Sequence, residues 1–390
     1  MTVTMKTADA ALKTAYLDVV SEYLDFKANP FLSKIKKTTD NVWGKEIRKL
    51  VHYGINGGVG VGSEDGELPT AYGNKYVEFK IGLKNLYGTI EITDKAIRAS
   101  ENKSGAFTNL LTDEINSLMN AANFNFSRML MGNGTGKIGA ILSTGGSSFY
   151  TDMPNAFHVG MNIKFFPASG EEVDGKVYKV LSGNRETKYV TVNANLDSFM
   201  YGNGGYAGFA NAPGNEITGI MALFDNNVNK VYGVSKRSYA DLFPVVKQTN
   251  GSITEALIQS QIDAIEESYG GQVNFILCSS GVKRALMNHL STYKRNLETM
   301  ELNGGYKTMS FNGIPVVSDR FCPEGTMLLL NTDDFAMHQL CDWQWLEGED
   351  GRILRQLENK PVYRATLVKY AELLCSRPWA QRAITGINEA

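Results

Sequence analysis

Lys45-Glu46-Ile47-Arg48-Lys49-Leu50-Val51-His52-Tyr53 runs out, and Tyr76-Val77-Glu78-Phe79-Lys80-Ile81-Gly82-Leu83 runs back. Between these two extended arms, glycines recur at 54, 57, 58, 60, 62, 66 and 73. Glycine loses the most backbone freedom on folding and brings no side chain to bury. A tip of this composition cannot build its own core, so something outside the hairpin must hold it. Each arm, taken as about 15 residues, spans ~50 Å at ~3.3 Å per residue. A compact chain of this length has a radius of gyration of ~21 Å. The hairpin is therefore long enough to leave its own body.

Within the return arm, Val77, Phe79 and Ile81 alternate with Glu78 and Lys80, giving one apolar and one polar face. The apolar face is expected to land partly on a neighbouring subunit. Lys45, Arg48, Lys49, Lys75, Lys80 and Lys84 make the arms basic, while Glu64, Asp65 and Glu67 make the tip acidic. That asymmetry either steers the tip to a basic surface or is a solvated charge pattern.

Working outward, Asp9 to Phe26 has helical period, with Leu12, Tyr16, Val19, Val20 and Tyr23 on one face. It packs on its own domain or docks as an arm on a partner. After the hairpin comes a strand, Leu86 to Ile92, and then a helix from about Ala106 to Met131. Leu110, Ile115, Leu118, Ala122, Phe126 and Met129 stripe that helix, a rod of ~37 Å. Gly132-Asn133-Gly134 ends it.

From Thr135 to Asn215, short extended runs (Asn162 to Phe166, Lys176 to Leu181, Lys188 to Val192) alternate with small polar residues, which reads as an inserted β-rich unit. The rest is more regular α/β. Ser252-Ile253-Thr254-Glu255 reads as a capping box before a helix, and Val273 to Leu277 as a buried strand. Ser280 is expected to cap a second helix. Asn312-Gly313 turns a hairpin between Tyr306–Phe311 and Ile314–Val317. Tyr363 to Cys375 is a long strand, with one more at Ala383 to Ile387.

The chain has 390 residues and a formal charge of −2, with 43% hydrophobic and 21% charged residues, so it lacks the basic excess of a sequence-independent DNA binder. Nucleic acid nearby would be enclosed, not gripped. Cys278, Cys322, Cys341 and Cys375 are scattered and read as buried small hydrophobes. No apolar run approaches the ~18 residues of a membrane span, and Met1 to Lys6 lacks a signal peptide's apolar region. Synthesis in the cytoplasm is expected.

Catalytic signatures fail one by one. Gly132-Asn133-Gly134-Thr135-Gly136-Lys137 has the wrong glycine spacing for a phosphate loop, and Ile138 stands where a hydroxyl should meet magnesium. Gly202 to Ala207 matches G-x-G-x-x-A but has no strand before it and Pro213 after it. His52, His158, His289 and His338 lack metal-ligand spacing. Cys278-Ser279-Ser280-Gly281 sits at a strand-to-helix turn but has no accompanying nucleophile signature. No catalytic, cofactor-binding or metal-binding residue is nominated, and no enzyme activity or cofactor is expected.

The order of elements, with Leu86-Tyr87-Gly88-Thr89-Ile90-Glu91-Ile92-Thr93-Asp94-Lys95-Ala96, Leu130-Met131-Gly132-Asn133-Gly134 and Tyr306 to Leu330, resembles the major capsid protein of tailed bacteriophages. The resemblance implies an α+β tailed-phage capsid fold. It divides the chain into an N-terminal arm (1–42), an extended loop (43–85), a peripheral domain with spine helix (86–134 and 346–390), an inserted β-rich domain (135–217) and an α/β axial domain (218–345). It implies self-assembly through pentamers and hexamers into an icosahedral shell around double-stranded DNA. Neighbouring capsomers would be joined by the loop and the arm. Scaffolding would be a separate protein, with a portal and decoration proteins as further partners. The site of action would be the virion capsid, assembled in the host cytoplasm without a membrane. Some members cross-link a loop lysine to a neighbour's asparagine; Lys75, Lys80 and Lys84 are available, with no marked asparagine or glutamate. An encapsulin-like compartment shell, a glycine-rich surface adhesion protein and a hydrolase with an unrecognised site are the competing readings.

Overall fold

The structure, a computed structural model, describes residues 29–389 except 40–41, 44–45, 97–103, 171–174, 197–203, 294–298, 303–305 and 349–350. The expected helix at 9–26 lies outside the described residues.

One long strand, Val362–Cys375, organises the first sheet. Lys84–Thr93 runs antiparallel along one side of it, from Ala371↔Lys84 to Val362↔Thr93. Phe335–Trp345 and the short Arg355–Gln356 pair with it antiparallel as well. Lys36–Thr38 adds to Phe335–Trp345 in parallel. Residues 335–345, grouped by the sequence reading with the axial part, therefore lie in the same sheet as 362–375. Residues 29–38, grouped with an arm, pack into the body: Phe31 is fully buried, its ring edge-on to Phe335 at 5.3 Å.

The long helix Ser104–Met131 lies over this sheet. Its 28 residues make a rod of about 42 Å. Ile115, Met119, Phe126 and Leu130 recur at helical spacing and are buried. Gly88 lets the sheet approach closely, since a Cβ there would stand 3.0 Å from Leu118 Cδ1.

The second sheet has seven strands in the order Val245–Gly251, Arg382–Ile387, Met327–Leu330, Phe275–Cys278, Ile314–Ser318, Tyr306–Phe311, Thr299–Leu302. Phe275 and Leu277 face the large core, while Ile276 and Cys278 face a second core beneath two helices, Glu255–Tyr269 and Ser280–Tyr293. Both faces of that strand are covered, so its pattern is a continuous apolar run. Asn312 and Gly313, at φ 50° and 80°, make the tight turn that their identities require.

Three local expectations change. Arg382–Ile387, grouped with the peripheral part, is inserted between two strands of the seven-stranded sheet. The helix at 255 is capped by Thr254, whose side chain accepts the Leu257 N–H at 3.2 Å, not by Ser252. The next helix is capped by Ser279, whose Oγ accepts the Val282 N–H at 3.3 Å, not by Ser280, which is already helical. In both, the hydroxyl that sits three residues before an unpaired helical N–H takes the cap.

Between the long helix and the second sheet, six strands close into a barrel: Tyr189–Val192, Ser148–Thr151, Gly139–Gly145, Tyr206–Gly208, Asn162–Phe166 and Tyr178–Asn184. Phe149, Phe165, Tyr178, Val180 and Val190 fill it. The rings of Phe149 and Phe165 meet edge-on at 5.4 Å, and those of Phe165 and Tyr178 at 4.9 Å.

The barrel's root is a buried charged joint. Arg128, near the helix end, makes a two-pronged bond to Glu216 (3.1 and 2.5 Å), both side chains buried. Two residues on, the Thr218 N–H donates to Glu372 at 2.7 Å. Lys84 Nζ donates to the Gly214 carbonyl at 2.5 Å. Burial pushes the Glu372 carboxyl up to about 8, against the hydrogen bonds from Thr218 and Leu373 that favour its charge. Between about pH 4.5 and 8 the folded chain thus holds a proton that the unfolded chain has lost, and stability falls as pH rises through that window. Glu372→Gln should remove this slope, by up to about 1.4 kcal/mol per pH unit, in urea unfolding measured from pH 5 to 8. An unchanged slope would assign the carboxyl an ordinary ionisation.

Candidate assembly surface

The hairpin's arms are the strands Glu46–Tyr53 and Lys75–Gly82, paired from Glu46↔Gly82 to Tyr53↔Lys75. Eight residues each give about 26 Å, half the length expected from the sequence. The alternation holds: Ile47, Val51, Val77, Phe79 and Ile81 share one face. The sequence points to a partial landing of that face on a neighbouring subunit; in the structure this chain's own body buries it. Phe79 lies fully buried with its ring 5.5 Å from Tyr232, and the Lys80 N–H donates to the Tyr232 carbonyl at 2.9 Å. Tyr53 meets Tyr239 edge-on at 5.9 Å. The base of the hairpin is fastened to residues 230–243.

On the outer face, Glu46 binds Lys80 at 2.9 Å and Arg48 at 3.3 Å, and Arg48 reaches Glu78 at 3.6 Å. The hydrogen-bonded Lys80 ammonium holds the Glu46 carboxyl below its ordinary range. These are exposed pairs, worth little to stability. They engage Lys80, as the Gly214 carbonyl engages Lys84, so two of the three lysines considered for cross-linking already have partners.

Beyond Tyr53 the chain forms no strand until Lys75. Ile55, Val59, Val61, Leu68 and Tyr72 are all exposed, Ile55 at 92% and Leu68 at 90%. Burying one such side chain is worth about 1.5–3 kcal/mol. The apex carries Glu64, Asp65 and Glu67, with no ion-pair partner among the described residues. The two limbs are tied where they leave the strands, Asn56 Nδ2 donating to Asn74 Oδ1 at 3.0 Å. The result is a fastened base and an uncovered, apolar, acid-tipped end, a surface suited to contact with another molecule.

Several residues weighed for chemistry make structural contacts. Lys137 pairs with Asp152 at 3.2 Å. Tyr206–Gly208 is a barrel strand, while 201–203 lie outside the described residues. Cys278 is buried, its thiol pushed up to about 12 by that burial, and Ser279 Oγ donates to the Glu389 carboxylate. His52 and His158 stack edge-on against Tyr76 and Phe124. Among the described residues, no three His, Cys, Asp or Glu side chains gather as a metal site would need, and no helix is long and apolar enough to cross a membrane. The buried ions, Arg128–Glu216 and Lys369 on Asp342 at 2.5 Å, were not legible in the sequence. No local spacing marks partners that are 88 and 27 residues apart.

Residues 181–353 match the family model described as SU10 major capsid protein. No curated protein matches the chain. Among solved structures, the capsid asymmetric unit of cyanophage A-1(L) superposes with a TM-score of 0.56 at 13% identity, over 92% of this chain and 93% of that one. An encapsulin complex from Synechococcus elongatus superposes at 0.47 and 12% identity, over 92% and 88%. Mycobacterium phage Bobi gives 0.47 and 10% identity, over 100% and 99%. The fold is that of phage capsid shells.

The split between fastened base and free tip has an energetic signature. Phe79→Ala should cost about 3–5 kcal/mol in urea unfolding, whereas Leu68→Ala should stay within about 0.5 kcal/mol. Equal effects would mean that the tip, too, is packed on its own chain.

Proposed function

We infer that this chain is the major capsid protein of a tailed bacteriophage, a structural subunit that associates with its own copies to build the shell. The capsid-family match over 181–353 carries this reading, because it spans the seven-stranded sheet's central strands and part of the barrel. The cyanophage capsid fold over 92% of the chain supports it. The encapsulin reading is not favoured: the family match is to a phage capsid protein.

The finer assignment belongs to the same proposal, and these surfaces support it. The seven-stranded unit takes the axial role, meeting its copies around five-fold and six-fold axes. The five-stranded sheet and long helix form the peripheral unit, and the hairpin tip crosses to another subunit. Single contacts of this size are weak, but repetition around a closed shell makes them collectively strong. Double-stranded DNA is enclosed without a dedicated binding surface, in keeping with a formal charge of −2. The chain does no chemistry, and a separate scaffolding protein and a portal complete assembly in the host cytoplasm.

Because Asn56 and Asn74 are already hydrogen-bonded, removing residues 57–73 leaves a four-residue connection between Tyr53 and Lys75, an ordinary hairpin length. The shortened subunit should fold with an unchanged circular dichroism spectrum and fail to close shells. Negative-stain microscopy of the expressed protein reads the outcome. Normal particles from the deletion would remove the tip from assembly; an intact chain that yields only monomers would overturn the shell reading itself.

A further inference from the structure

Two tight turns of this chain share one backbone geometry. Asn312-Gly313 holds φ of 50° and 80°, and Tyr232-Gly233 holds 55° and 78°. Each is a two-residue loop between paired strands, Phe311↔Ile314 in the first and Val231↔Val234 in the second. Left-handed backbone suits Asn and Gly, but for a bulky aromatic it is strained. Asn312 is exposed at its turn, whereas Tyr232 is buried. Strands as short as Lys230–Val231 and Val234–Ser235 do not hold a strained turn by themselves. The surroundings must hold it, and a bulky residue kept in this conformation points to a role outside the turn.

Three contacts hold Tyr232. Its ring lies 5.5 Å from that of Phe79. Its carbonyl accepts the Lys80 N–H at 2.9 Å. Its hydroxyl accepts the Cys375 N–H at 3.0 Å, at the end of Val362–Cys375. Gly233 lies against the same hairpin strand, where a Cβ would stand 3.6 Å from the Lys80 carbonyl oxygen. One side chain thus joins the hairpin to the strand that organises the five-stranded sheet. Asn at this position would suit the turn but make neither the ring contact nor the hydroxyl bond. Tyr239, from the same segment, meets Tyr53 at the tip end of the arms. Two contacts spaced along a strand fix its angle, as one cannot. We propose that Tyr232 is a positioning residue for assembly: a strained clip that sets the angle at which the hairpin leaves the body, and so where its tip meets a second copy. The role rests on the shell reading above. Without the clip the hairpin pivots on Tyr53 and Tyr239. From there the limb to Asp65 reaches at most about 40 Å, so a rotation of about 10° moves the apex by about 7 Å.

Two substitutions separate a clip from an ordinary core residue. Tyr232→Asn gives the turn a residue that suits it and removes both anchors. Tyr232→Phe keeps the ring and loses only the bond to Cys375. Amide hydrogen exchange, read residue by residue by mass spectrometry on the full chain in solution, compares Lys80, whose N–H the clip holds, with Leu329 in the middle of the seven-stranded sheet. Tyr232→Asn should speed exchange at Lys80 by roughly tenfold or more, and Tyr232→Phe by about fivefold, with Leu329 unchanged in both. Negative-stain microscopy of the same Tyr232→Asn chain should show few closed shells, or shells of altered diameter. An equal rise at Lys80 and Leu329 would make Tyr232 plain core packing and overturn the clip. So would shells of normal yield and diameter from Tyr232→Asn. Should that variant not fold, Tyr232→Phe carries both measurements. Only monomers from the unaltered chain would overturn the shell reading and this role together.

Discussion

The strand Val362–Cys375 is the constraint from which the rest of the structure hangs. It holds Lys84–Thr93 along one side and Phe335–Trp345 along the other, joining segments some 250 residues apart in the chain. Its side chains also reach the barrel root. Glu372 receives the Thr218 N–H, and Lys369, almost fully buried, binds Asp342 and lies 5.1 Å from the Phe126 ring on the long helix. Burial alone would raise the Asp342 carboxyl, yet Lys369 and then Lys37 bring it to about 2. Charges buried in this way add little net stability but are costly to break, so they favour one arrangement over its alternatives.

The same logic separates what is rigid in the subunit from what is left for partners. The hairpin base spends its apolar face on Tyr232 and its neighbours, and the barrel fills itself with aromatic rings. The most exposed aliphatic side chains, Ile55, Val59, Val61 and Leu68, lie on the tip. A shell subunit needs this division. Its body must fold before it meets another copy, and its contact surfaces must stay weak enough to adjust between slightly different neighbours.

Gly219 shows how tightly the joint is made. A Cβ there would come within 2.5 Å of the carbonyl oxygens of Met129, Leu130 and Gly132, so only glycine lets the returning chain lie against the helix end. In the sequence, Gly214-Asn215-Glu216-Ile217-Thr218-Gly219 reads merely as a return from an insertion. Its importance lies in contacts with a helix and a strand that are remote in the chain.

By itself the sequence determined the local elements: the long helix from its 3.6-residue stripe, the Asn312-Gly313 hairpin from its turn chemistry, the hairpin arms from their alternation, and the glycine-rich tip from its lack of anything to bury. The resemblance added the capsid fold and the shell role. Tertiary structure alone decided which surface each apolar face covers. Alternation says that Val77, Phe79 and Ile81 share a face but not whose body buries it, and here it is the chain's own. It also decided that the insertion closes into a barrel, that Arg382–Ile387 joins the seven-stranded sheet, and that Arg128 meets Glu216. Periodicity and turn residues act over a few positions, whereas sheet partners and buried ion pairs are chosen by packing among segments far apart in sequence.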